Sequence, residues 1–275
     1  MGPTNFLDSP FQPQNPFTCS WLGKSECVAS VANCLEAWET ELKYDPDREF
    51  LLEGIKNGFR IVDKDSDVKQ AELKNHRSAL EHREAVEKEL CEQIQQGNYI
   101  VAAVPPLIVS PLAAIPKDGS DKVRIIHDGS RPFGAAMNDY ATLHSERFQS
   151  IADACKIAKP GFWCAKLDLK AAYRSVPIHK DDYKVTGLKW QFEGDKQPTY
   201  LFDSRLPFGA TLAPSHFHRL SQAIGRCLRR QGFKGVVVYI DDFLLAAETF
   251  EECNRALHCL IRLVRKLGFH ISRSE

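Results

Sequence analysis

The chain has 275 residues, with 36 Lys and Arg against 36 Asp and Glu, 43% hydrophobic residues and 26% charged ones. These proportions exclude disorder over the whole chain and allow one large domain or two smaller ones. No apolar run approaches the roughly 18 residues of a membrane-spanning helix, and Met1-Gly2-Pro3-Thr4-Asn5 lacks the basic start and apolar stretch of a secretory signal.

The nine cysteines are odd in number and include no CxxC pair. That points away from a disulfide framework or zinc knuckle and toward reduced thiols in an intracellular protein. The close pairs His216-x-His218 and His76-x5-His82 have no Cys or carboxylate at ligand spacing, so they read as surface or core histidines. Neutrality hides a gradient. Residues 1–95 carry 18 acids and 11 bases, whereas residues 205–275 carry 6 acids and 11 bases. A basic C-terminal third attracts polyanions, although a solvated basic helix face gives the same count.

Residues 1–35, rich in Pro, Asn, Ser and Cys, are expected to be irregular. Residues 36–98 are expected to form a helical N-terminal region. It opens with apolar clusters (Leu35, Trp38, Leu42; Phe50, Leu51, Leu52, Ile55, Phe59) broken by Pro46, Gly54 and Gly58. One long polar helix over 67–96 follows, with a stripe of Leu73, Leu80, Val86, Leu90 and Ile94 and a stop at Gly97. From Tyr99 the texture becomes β-rich. Ile115–Asp128 reads as strand, Asp-Gly turn, strand, with Lys117, Lys122 and Arg124 at the tip.

Phe162–Leu169 is an apolar run containing one acid, Asp168. Val185–Phe192 and Thr199–Phe202 form a second hairpin around Gly194. Pro214 opens a helix with Phe217, Leu220, Ile224 and Leu228 at helical spacing, and Gly232 ends it. Gly235–Ile240 and Phe243–Ala247 are strands. Thr249 and Glu252 make a capping box whose helix turns Cys253, Leu257, Leu260, Ile261 and Val264 inward before Gly268. Helices and strands mix without regular βαβ alternation, so the fold class is α+β.

Tyr239-Ile240-Asp241-Asp242-Phe243 sets two adjacent carboxylates between apolar strands, at what reads as a hairpin tip. A two-residue loop favours Asn-Gly or Asp-Gly, because positive φ is needed. Asp-Asp there is strained and self-repelling, and makes most sense if a cation offsets the repulsion; a plain Asp-containing turn is the alternative. Asp168 is a second acid in an apolar strand and needs a partner, either a cation or Lys166, Lys170 or Arg174. Three carboxylates converging from a strand end and a hairpin make a hard-oxygen site suited to Mg²⁺ or Mn²⁺, and paired ions of this kind serve in-line phosphoryl transfer.

Asp168 in Lys-Leu-Asp-Leu-Lys-Ala-Ala-Tyr, then Leu206-Pro207-Phe208-Gly209-Ala210-Thr211-Leu212-Ala213-Pro214, then Tyr239-Ile240-Asp241-Asp242 come in a fixed order, followed by Leu267-Gly268-Phe269-His270-Ile271. The set resembles the reverse transcriptases of long-terminal-repeat and tyrosine-recombinase retrotransposons, over residues 99–275 most clearly. The resemblance implies a right-hand polymerase of fingers and palm, the palm an antiparallel sheet backed by helices. Fingers and the start of the palm would span 99–160. The palm would span 161–275, with a fingers hairpin inserted near 180–206.

The implied activity is template-directed DNA synthesis, RNA-directed by preference. It uses a primed RNA or DNA template, dNTPs and two Mg²⁺ ions, with Mn²⁺ as a substitute. Asp168, Asp241 and Asp242 match the catalytic acids that hold the metals, and Tyr173 matches an aromatic gate against the 2′-hydroxyl. Lys117 and Arg124 match cations that grip the triphosphate. Phe208 stands where some relatives have Gln and would pack on the nucleotide, with Gly209 permitting close approach. Arg226, Arg229, Arg230 and Lys234 are candidates for template or primer phosphates, a solvated helix face being the alternative.

No thumb or ribonuclease H pattern appears before Glu275. The chain therefore reads as a fingers–palm fragment, its thumb and ribonuclease H expected from the same retroelement polyprotein. The competing reading is an inactive retroelement-derived remnant that binds nucleic acid or protein. An RNA-dependent RNA polymerase is disfavoured by Tyr173 and by Tyr-Ile-Asp-Asp in place of Gly-Asp-Asp.

Overall fold

The structure is a computed structural model that describes residues 30–117, 119–120, 122–143 and 147–272. Its elements in chain order are α1 (Leu35–Glu41), α2 (Arg48–Asn57), β1 (Ala71–Glu72), α3 (Arg77–Glu81), α4 (Arg83–Gln95), β2 (Tyr99–Val101), β3 (Ile108–Val109), β4 (Leu112–Pro116) and β5 (Val123–His127). They continue with α5 (Ile151–Ile157), β6 (Trp163–Lys170), β7 (Gly187–Trp190), β8 (Thr199–Asp203), α6 (Ala213–Arg230), β9 (Val236–Tyr239), β10 (Asp242–Ala247), α7 (Phe250–Lys266) and β11 (His270–Ile271). Two compact units result. One is built from Arg60–Thr142 and Ile178–Thr211, the other from the described residues up to Phe59, from Leu143–Pro177 and from Leu212 onward.

The first unit holds a sheet in the order β1-β3-β7-β8-β2 and the separate hairpin β4-β5. Its core gathers Val86, Leu90, Tyr99, Leu112, Val123, Leu188, Trp190 and Leu201. The long helix expected over 67–96 is corrected: β1 comes first, and α3 and α4 follow with a break at His82. The reason is competition from a sheet partner. Ala71 N–H donates to Leu107 O at 2.8 Å, and the Asn75 side chain bridges Lys189 O and Leu112 N–H at 2.9 and 3.0 Å, holding the segment extended. Leu73 and Leu80, read as part of the stripe, are exposed, whereas Val86 and Leu90 are buried. Gly97 ends α4 at φ 71°, a conformation open to glycine.

The second unit is built on an antiparallel sheet in the order β11-β6-β10-β9. Helix α6 buries Phe217, Leu220, Ile224 and Leu228 completely, as its spacing predicts. In α7 the Thr249 side chain accepts from Glu252 N–H at 3.2 Å. The buried face of α7 is Cys253, Ala256, Leu260, Leu263 and Val264, while Leu257 and Ile261 lie at its margin. Helical periodicity alone does not separate adjacent apolar positions, so it favours Leu257 and Ile261 where the fold buries Ala256 and Leu263.

Residues 36–98 do not form one region. The part up to Phe59 joins the second unit, where Trp38 is fully buried, donates to Leu267 O at 3.0 Å and meets Phe269 edge-on. The seven described cysteines are free; Cys91, Cys227 and Cys253 are buried. Cys19, Cys27 and nearly all of segment 1–35 lie outside the described residues. No helix among the described residues is long and apolar enough to cross a membrane.

Candidate active site

Asp168 and Asp242 are direct partners across β6 and β10. Directly opposed residues of an antiparallel pair project from the same face, so the register sets the two carboxylates side by side. Hydrophobic burial fixes that register. Phe243 pairs with Leu167 across β6 and with Val238 across β9, all three buried, and a slip of one residue would turn one partner outward.

The hairpin tip differs from the expected Asp241-Asp242 pair. Tyr239 pairs with Asp242, so the loop is Ile240-Asp241 and Asp242 already belongs to the strand. The positive φ falls on Ile240, at 52°. A β-branched residue there is strained by roughly 1–2 kcal/mol. Among the described residues, the other non-glycine with positive φ is Ala171, at 51°, just beyond β6. Backbone strain therefore flanks the acids on both chain segments that carry them.

Burial is the main cause that raises the Asp241 carboxyl above the usual carboxylate range, and the charges of Asp242 and Asp168 push it further. Lys166 opposes that shift. Its Nζ lies 3.0 Å from Asp242 Oδ1, and this pair raises the lysine's own pKa. Both partners of the pair are exposed to solvent. Among the described residues, no three His, Cys, Asp or Glu side chains are drawn together tightly enough to form a finished metal cage. The donor set nevertheless fits a hard cation. It is all carboxylate, and the mutual repulsion that helps to raise the Asp241 pKa would be relieved by a bound cation.

Tyr173 follows Ala171 within the 3-10 turn Ala172–Ser175. Its ring lies 5.4 Å from that of Phe217 on α6. Burial raises its hydroxyl pKa, and the charge on Asp241 adds to the effect.

The first unit brings Arg124, Phe208 and Gly209 together. The Arg124 guanidinium sits 5.8 Å from the centre of the Phe208 ring, and His127 N–H donates to Phe208 O at 3.0 Å. Gly209 has φ 119°, and a Cβ there would collide with the His127 carbonyl. Asn138 ties the loop down, donating to Gly209 O and accepting from Thr211 N–H, both at 2.8 Å. Nothing in the sequence around Asn138 marks it for this role. Lys117 is exposed at the hairpin tip, where its N–H bonds to Lys122 O at 2.9 Å.

Three of the four expected phosphate-binding cations are engaged within the second unit. Arg226 grips Asp45 with two bonds of 2.7 and 2.8 Å and reaches Asp47 at 3.0 Å. Arg229 donates to Val236 O at 2.8 Å, and Arg230 to Glu41 O at 2.8 Å. Asp45 and Asp47 of the α1–α2 turn, distant in sequence, supply the acidic partners of Arg226, and Asp45 also reaches Arg230 at 3.5 Å. Lys234 remains exposed.

The model of the family described as "Reverse transcriptase (RNA-dependent DNA polymerase)" matches residues 115–274. The chain belongs to the reverse transcriptase family. It is 32% identical over 169 residues to the Gag-Pol polyprotein of walleye dermal sarcoma virus, covering 60% of this chain and 9% of that one. It is 23% identical over 219 residues to the Gag-Pol polyprotein of koala retrovirus, covering 78% and 12%. An uncharacterised protein of Caenorhabditis elegans is 26% identical over 277 residues, covering 93% and 20%. The chain thus spans a fifth or less of these relatives.

Among solved structures, the foamy viral protease–reverse transcriptase in complex with double-stranded DNA superposes with a TM-score of 0.64 at 16% identity, covering 92% of this chain and 45% of that one. The same viral enzyme in complex with an RNA/DNA hybrid gives 0.62 at 16% identity, covering 91% and 34%. The α+β fold is that of the polymerase portion of a reverse transcriptase.

Proposed function

We propose that this reverse transcriptase domain carries out RNA-directed DNA synthesis within a retroelement polyprotein, adding deoxynucleotides to a primer 3′-hydroxyl. The second unit would be the palm and the first the fingers. One observation carries the reading: Asp168 faces Asp242 in register, with Asp241 at the adjoining tip. Asp168, Asp241 and Asp242 would hold Mg²⁺ or Mn²⁺. When bound, such ions lower the pKa of the attacking hydroxyl and neutralise charge developing on phosphate.

The chain's own residues supply the rest. Antiparallel pairing aligns Asp168 and Asp242 before any ligand arrives, so little reorganisation accompanies binding. Lys166 holds Asp242 in an exposed pair, which it would yield at little cost to a cation bound by the acids. The Tyr173 ring, wedged on Phe217, is the group that would meet a 2′-hydroxyl. In the fingers, Lys117 and Arg124 would bind triphosphate oxygens, and Phe208, steadied by Arg124, would pack on the nucleotide. A primed RNA or DNA template is supported by the nucleic-acid complexes of the foamy viral enzyme.

The test is primer extension on an RNA template with dNTPs and Mg²⁺. Asp241→Asn should reduce incorporation by on the order of 10²–10³-fold. Incorporation that survives this substitution would remove the site assignment.

A further inference from the structure

Side chains occupy the open edge of the palm sheet. Strand β9 ends the order β11-β6-β10-β9, so among the described residues a row of its peptide groups has no strand partner. Exposed rows of this kind recruit other strands or fray. Here Val238 N–H donates to Gln149 Oε1 at 2.9 Å. Val238 O accepts from Gln222 Nε2 at 3.3 Å, and the same nitrogen donates to Gln149 Oε1 at 3.2 Å. Two side-chain amides thus offer Val238 the acceptor and the donor that a neighbouring strand would offer. One position pair back, Arg229 covers Val236 O.

The mount is rigid. Gln149 directly precedes the Ser150 cap of α5, where Ser150 N–H and Oγ both bond to Asp153 Oδ2 at 3.0 Å. Next to it, the Phe148 ring packs 4.7 Å from the His218 imidazole and 6.4 Å from the Tyr239 ring. Backbone and side chain of the residues leading into the Ile240-Asp241 loop are therefore gripped from one segment. That loop needs a grip. Asp242 sits on a strand paired on both sides, but Asp241 hangs from the free end of an edge strand through a strained Ile240. Strained backbone persists only where its surroundings over-determine it.

We propose that Phe148, Gln149 and Gln222 form a clamp that positions the Asp241 tip, acting on rate through backbone placement and without touching substrate. The link to rate rests on the polymerase reading above; the clamp itself does not.

The experiment compares the chain with Gln149→Leu, Gln222→Leu, the double substitution and Gln149→Glu, which keeps an acceptor for both Val238 N–H and Gln222. Amide exchange at Val238 and Tyr239 is measured beside primer extension. Gln149→Leu should speed Val238 exchange about tenfold. It should lower kcat by roughly 10- to 100-fold, with KM for dNTP and affinity for primer–template within about twofold of wild type. Gln149→Glu should restore both readouts, and the double substitution should be no worse than the more damaging single one, because both side chains act on one residue, Val238, and bond to each other.

Unchanged Val238 exchange in Gln149→Leu would overturn the clamp whatever the activity. Faster exchange with undiminished kcat would overturn the positioning role. A loss of rate matched by a loss of primer–template affinity would overturn it too, showing a nucleic-acid contact instead. A wild type that makes no DNA would sink the polymerase reading and the positioning role with it, and the exchange arm still reports separately on the clamp.

Discussion

Asp168 and Asp242 occupy one rung of the ladder between β6 and β10, although 73 residues separate them in the chain. The rung makes their carboxylates neighbours by backbone geometry alone, and Lys166, two residues before Asp168, reaches across to Asp242. That cation occupies the position a metal ion would contest. Replacing it with Gln should therefore tighten Mn²⁺ binding to the chain by about three- to fivefold, as befits an exposed pair. Electron paramagnetic resonance of free Mn²⁺ reads this directly. Weaker binding in Lys166→Gln would mean that the lysine helps to build the site.

The tip loop stores strain at Ile240. Ile240→Gly should raise unfolding free energy by up to about 1 kcal/mol in urea titrations, less whatever apolar burial is lost. Gly209→Ala should do the opposite. Its Cβ has no room beside His127 O and its φ suits glycine, so about 3 kcal/mol of stability should be lost.

Tyr173→Ala should raise incorporation of ribonucleotides relative to deoxynucleotides by at least roughly tenfold, since the ring is the proposed steric block. Tyr173→Phe should leave the ratio unchanged. Competition assays with matched dNTP and rNTP decide between a gate and a ring that serves only to pack against Phe217.

Burial alone would raise the Asp45 carboxyl. Hydrogen bonds from Arg226, the Asp47 N–H and Arg230 outweigh it and leave the pKa below the ordinary carboxylate value. A lowered folded-state pKa contributes stability above the unfolded-state value of about 3.9, and this is lost as pH falls through the folded-state value. Wild type should therefore lose stability more steeply than Asp45→Asn below about pH 4. At neutral pH, Asp45→Asn should be weaker by roughly 2–3 kcal/mol, because Arg226 loses its charged partner. Urea titrations from pH 3 to 7 measure both.

Much of this site is legible in the sequence because its signals are anomalies. Acids inside apolar strands stand out, as do the glycine after Phe208 and the capped helix at Thr249. What escapes is whatever depends on partners remote in sequence. The segment around Ala71 became a strand because Leu107 offered it a ladder, and arginines on α6 that look free are bound by Asp45 and Asp47. The turn itself starts one residue before the Asp-Asp pair, and only cross-strand register reveals that Ile240, not Asp242, takes the strained position.

The most direct test is a crystal structure of the chain with Mn²⁺ and a non-hydrolysable dNTP, with data collected at the manganese edge. Anomalous peaks should lie between Asp168 and Asp241, with Asp242 alongside and Lys166 withdrawn. Manganese bound elsewhere, with Lys166 still seated on Asp242, would contradict the account.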